Sequence, residues 1–102
     1  MKFVHILVCA SVLVCAPAFA NSKLATEKAC MACHSVDKKL VGPSYQDVAK
    51  KYAGQKDALA VLTKSIKAGG SGKFGPVPMP AQAALSEADA KTLAAWVLAG
   101  AK

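Results

Sequence analysis

The segment Cys30-Met31-Ala32-Cys33-His34 limits what this chain can become more than any other stretch of its 102 residues. Two thiols stand three residues apart, an imidazole follows at once, and the length allows one small domain. What the motif can bind depends on which other donors the mature chain keeps. The first twenty residues, MKFVHILVCASVLVCAPAFA, carry a lysine near the start and an apolar run from Ile6 to Val14, then Pro17 and the small-residue ending Ala18-Phe19-Ala20. That order is expected of a secretory signal peptide cut after Ala20. Its apolar run is shorter than the ~20 residues a spanning helix needs, and Val14 is too bulky to precede Cys15 in a lipoprotein signal. No later run is apolar enough for a bilayer, so the exported product is expected to have no membrane span.

Removing residues 1–20 leaves residues 21–102 as one domain. Its only cysteines are Cys30 and Cys33, its only histidine is His34, and its methionines are Met31 and Met79. So short a chain buries little apolar area, and domains of this size often need a disulfide, a metal or a cofactor as a staple. The expected organisation is all-α. Asn21 or Ser22 caps a first helix through about Ala29, which puts the motif at the end of that helix. Ser44, directly after Pro43, caps a short helix over 44–52. From Asp57 onward Leu59, Leu62 and Ile66 share one helical face, and Gly69 ends it. Ser86 with Asp89 three residues later is a capping-box variant. It opens a last helix in which Ala90, Leu93, Ala94, Val97 and Leu98 recur at helical spacing, with Trp96 beside that face. Glycine and proline crowd residues 69–81, and no segment reads as a strand.

Several chemistries use a C-x-x-C pair. A thioredoxin-like dithiol sits at the start of a helix after a strand, and no strand signal precedes Cys30. Zinc takes four ligands, or three and a water, and no partner pair follows His34. A plain disulfide leaves His34 without a task. Covalent c-type haem uses all three residues, with thioethers from Cys30 and Cys33 and His34 as first axial ligand to iron. Met31 lies within the attachment motif and cannot cross the ring plane, so Met79 is the remaining soft donor. Pro78 and Pro80 fix the backbone on either side of it, which lowers the entropy lost in holding a weak thioether on iron. A His/Met pair raises the reduction potential and fills both axial positions. Electron transfer then fits better than oxygen chemistry, and the expected role is a carrier, not an enzyme. The rival is a haem enzyme or gas-binding haem protein with a labile sixth ligand.

With these residues assembled, the chain resembles the short class I bacterial cytochromes c, periplasmic mono-haem electron carriers. The likeness covers the whole mature chain, through GPSYQDVAKKYAG from Gly42, IKAGGSGKFGPVPMP from Ile66 and AKTLAAWVL from Ala90. It implies about four helices wrapped around one haem, with the first and last packed together. It also implies that the Pro43 carbonyl meets the far ring nitrogen of His34, and that the Gln82 amide lies near the methionine ligand. Tyr45, Tyr52, Leu62, Ile66, Leu93 and Trp96 would be pocket or core residues. Two positions depart from the pattern. Phe74 stands where relatives carry a tryptophan whose N–H meets a haem propionate, and Ser65 replaces a basic residue. A more hydrated or differently tuned propionate region is expected.

The net charge of +7 becomes +6 when Lys2 leaves with the signal peptide. Export and the absence of arginine argue against nucleic acid. The charge suits steering toward an acidic redox partner instead. Lys28, Lys38, Lys39 and Lys73 flank the motif and the methionine loop. By resemblance, a docking patch of Met31, Ala32, Leu40, Val77, Pro78 and Ala81 is implied. So are a cytochrome bc complex as donor and a nitrite reductase, terminal oxidase or peroxidase as acceptor, met by a monomer in the periplasm.

Overall fold

The computed structural model describes residues 19–102. The expected signal peptide lies outside the described residues except for Phe19 and Ala20. Four α-helices follow in order: α1 (Phe19–Glu27), α2 (Tyr45–Tyr52), α3 (Ala58–Ala68) and α4 (Glu87–Leu98), with a 3-10 turn at Cys30–Ala32. Among the described residues there is no strand, as the helical periodicity predicts. The one pairing of strand type is an isolated antiparallel bridge between Gly70 and Met79.

The starts of α2 and α4 obey local chemistry. Ser44 and Ser86 are extended, and each side-chain oxygen accepts the N–H three residues on, from Asp47 and Asp89 at 3.1 Å. A side-chain acceptor there satisfies one of the orphan amides of a helix's first turn. In α2 the acidic Asp47 lies in the first turn and Lys50 and Lys51 in the last, which is the order the helix dipole favours. Gly69 ends α3 at φ 70, where L-residues are strained.

The first helix departs from expectation at both ends: it begins at Phe19, so Asn21 and Ser22 lie within it and do not cap it. It stops at Glu27, and the motif has its own 3-10 turn instead of closing the helix. The cause is Ala29, which adopts a left-handed φ of 60. Lys28 donates to the Leu24 carbonyl and Ala29 to that of Thr26, so the left-handed residue closes the helix and turns the chain toward Cys30. Nothing in the residue type announces this, because alanine is the strongest helix former.

α4 is the hub and packs against α1, α2 and α3. Ala25 of α1 and Ala90 and Ala94 of α4 have no exposed surface, and such small side chains allow close helix approach. Trp96, expected beside the apolar face, is 4% exposed and belongs to the core. The core also takes in Tyr45, Val48 and Tyr52 from α2, Leu62 from α3 and Leu93 and Val97 from α4. Yet among the described residues no large side chain is wholly buried. The helices leave apolar surface facing an internal space.

Candidate cofactor site

That space is a cavity of about 580 Å³ bounded by the segment after the motif, by α2 and α3, and by residues 69–80. It falls within the size range of cofactor sites. Val48, Tyr52, Val61 and Leu62 line it with apolar surface, while Cys33, His34 and Pro43 stand in the same lining as Met79.

The histidine is held from several directions. Its Nδ1 lies 2.8 Å from the Pro43 carbonyl oxygen. A carbonyl can only accept, so Nδ1 is the donor, and in the neutral ring Nε2 then keeps its lone pair. The Tyr45 ring stacks on the imidazole at 5.2 Å between centroids and 23° between planes. Gly42 touches the ring closely: a Cβ built there would stand 2.5 Å from His34 Cε1 and 2.8 Å from Nδ1. Backbone bonds stitch this corner together. Gly42 donates to the Cys33 carbonyl at 2.7 Å, Tyr45 to Ser35 at 2.9 Å and Gln46 to Val36 at 3.1 Å. Cys30 and Cys33 are not disulfide-bonded. Burial pushes the Cys30 thiol up, and burial likewise pushes the Tyr45 phenol above its ordinary range.

Across the cavity, the methionine loop is pinned at both ends. At its base Met79 donates to the Gly70 carbonyl at 2.7 Å and Gly70 returns a bond to Met79 at 3.1 Å. Gly69 fits beneath this pair only because it lacks a Cβ, which would collide with the Met79 carbonyl oxygen and stand 2.8 Å from the Ala81 nitrogen. Near the tip, Lys51 of α2 donates to the Lys73 carbonyl at 2.6 Å and sets its ammonium 4.8 Å from the centre of the Phe74 ring. Lys73 reaches back over Tyr52 at 5.6 Å. Each such cation–ring contact is worth roughly 0.5–1 kcal/mol when exposed.

The six residues singled out in the sequence are therefore distributed unequally. Cys33, His34, Pro43 and Met79 share the cavity. Cys30 packs at the edge of the core. Gln82, three residues past Met79, gives its backbone N–H to the Ile66 carbonyl at 3.2 Å and is not among the lining residues. Phe74 and Ser65 both line the cavity. Lysine 51 escaped the sequence reading, since 22 residues separate it from the loop it grips and nothing local marks it. Tyr45 was legible as a pocket or core residue, but its stacking on His34 was not.

The donor set fits a haem. Cys33 lines the cavity beside an imidazole with a free nitrogen, with Cys30 three residues before it, a thioether stands in the same lining, and the walls between are apolar. A zinc cage fits poorly, since among the described residues no three His, Cys, Asp or Glu side chains converge. Comparison with known proteins points the same way. The family model for cytochrome c matches residues 20–101. Cytochrome c-552 of Hydrogenobacter thermophilus is 59% identical over 80 residues, spanning 78% of this chain and 81% of the relative. Cytochrome c-551 of Pseudomonas denitrificans is 57% identical over 78 residues, or 76% of this chain and 94% of the relative. The crystal structure of Nitrosomonas europaea cytochrome c552 superposes with a TM-score of 0.75 at 47% identity, covering 76% of this chain and 96% of the other. With motif, cavity and likeness in agreement, the chain belongs to the cytochrome c family and carries a covalently attached haem c with its iron.

Proposed function

We propose that this electron-carrying cytochrome works in the periplasm as a one-electron shuttle between respiratory redox proteins, exported by residues 1–20 and active as residues 21–102. Cys30 and Cys33 would hold the haem, and His34 and Met79 would ligate its iron. The observation that carries this reading is the 2.8 Å bond from His34 Nδ1 to the Pro43 carbonyl. It fixes the tautomer with Nε2 free for a metal, and such outer bonds also raise ligand basicity. When bound, the haem supplies the ferric–ferrous couple.

The chain's own residues do the rest. Pro43 orients the first ligand. The Gly70–Met79 bridge and the Lys51 clasp restrain the loop that presents the second. With both donors bound the iron would keep no open coordination position, a state that suits a carrier better than a haem enzyme or a gas-binding protein. The family match begins at residue 20, in keeping with cleavage near Ala20, and among the described residues no helix is long and apolar enough to cross a membrane. Among the described residues Leu40, Val41, Phe74 and Val77 are the exposed large apolar side chains. Lys38, Lys39 and Lys73 adjoin them in sequence, a composition suited to brief docking on an acidic partner. A cytochrome bc complex as donor, and a nitrite reductase, terminal oxidase or peroxidase as acceptor, fit that role.

Visible spectra of the protein matured in a periplasm test the assignment. A sharp α-band on reduction and a weak far-red sulfur-to-iron band in the oxidised form are expected, and Met79→Ala should abolish the second while keeping the first. Retention of the far-red band in Met79→Ala would remove Met79 as ligand. Ready binding of carbon monoxide by the wild-type ferrous protein would favour the gas-binding rival.

A further inference from the structure

One hydrogen bond does not set a ring plane. Carbonyl acceptors tolerate a broad range of approach directions, so the Pro43 bond fixes the tautomer of His34 more firmly than the rotation of its imidazole. The stacked neighbour is better placed to do that. Tyr45 lies against the imidazole at 23° and 5.2 Å, and its own plane is braced. It is 5% exposed and meets Trp96 edge-on at 63° and 5.2 Å. Its backbone N–H is tied to the Ser35 carbonyl directly after the ligand. Trp96 is itself 4% exposed and held within the core. Stacked and edge-to-face aromatic pairs contribute beyond their buried area and have preferred geometries.

We infer that Tyr45 is a positioning residue for the axial imidazole. Its ring, braced by Trp96 of α4, holds the plane of His34, and the hydroxyl has no part in this. The inference rests on the reading of His34 as an iron ligand. The plane of an axial imidazole governs how unpaired spin spreads over a ferric haem, so the device has a readout separate from stability.

The test uses the holoprotein. In ferric NMR, Tyr45→Phe should keep the wild-type order of the four haem methyl shifts, because it keeps the stacked ring. Tyr45→Met, of similar bulk but without a plane, should rearrange that order while the α-band and far-red band persist. An unchanged order in Tyr45→Met, even with lowered stability, would reduce Tyr45 to a packing residue and overturn the inference. Should Tyr45→Met fail to fold, the wild-type ferrous protein decides. Cross-relaxation between the ring protons of His34 and Tyr45 is expected, and its absence overturns the proposal. The two readings fail separately. His34 ring protons without a large upfield ring-current shift would sink ligation itself, whereas that shift without Tyr45 contacts would sink the positioning role alone.

Discussion

Alanine at position 29 works against its own preference. The left-handed region costs an L-residue about 1–2 kcal/mol, while glycine enters it freely at some cost in chain entropy. Ala29→Gly is therefore expected to stabilise the protein by up to about 1 kcal/mol, read as a higher guanidinium midpoint of the ferric form. A lower midpoint would mean that the left-handed turn at φ 60 is not what ends α1. At the same scale, Gly42 shows how much the imidazole depends on an absent side chain, since the missing Cβ would fall 2.5 Å from His34 Cε1. The motif, the single histidine of residues 21–102 and the flanking prolines of Met79 were plain in the sequence. The turn at Ala29 was not, because it follows from where the chain must go next and not from what alanine prefers.

Among the elements, α2, α3 and α4 were legible from caps and periodicity, because a serine acceptor and a spaced apolar face act within a few residues of each other. The 69–81 loop was legible only as irregular. Its order comes from contacts across the fold: the bridge between Gly70 and Met79, and Lys51 gripping Lys73 and Phe74. Gly69 is where this order is most exposed to change. A Cβ there meets backbone of Met79 and Ala81, which cannot swing aside, and φ is 70 as well. Gly69→Ala should cost upward of about 2 kcal/mol through strain and clash. It should also weaken the far-red sulfur band, because the bridge that sets Met79 is displaced. A variant with a lower denaturation midpoint but an undiminished band would show that the loop is held from its tip, by Lys51, more than from its base.

At the scale of the whole molecule the cofactor completes the fold. Helices and loops together border a cavity of about 580 Å³, and no large side chain is fully buried among the described residues. A chain this small has little core to spare, and groups that bind only the native state add their binding energy to its stability. The double variant Cys30→Ala, Cys33→Ala, unable to tether the haem and prepared free of it, should lose most of its helical signal in far-ultraviolet circular dichroism. Wild-type helicity in that variant without haem would show that the four helices stand unaided.

The sequence by itself determined the motif, its single histidine, the helical periods and the caps, all of which act over a few residues and so leave a local mark. Only the tertiary structure decided how these parts meet. The Pro43 carbonyl, the Tyr45 ring and the missing Cβ of Gly42 converge on one imidazole, and Lys51 closes on a loop 22 residues away. Such contacts depend on how the chain folds back across α4, and residue types along the chain carry no record of that geometry.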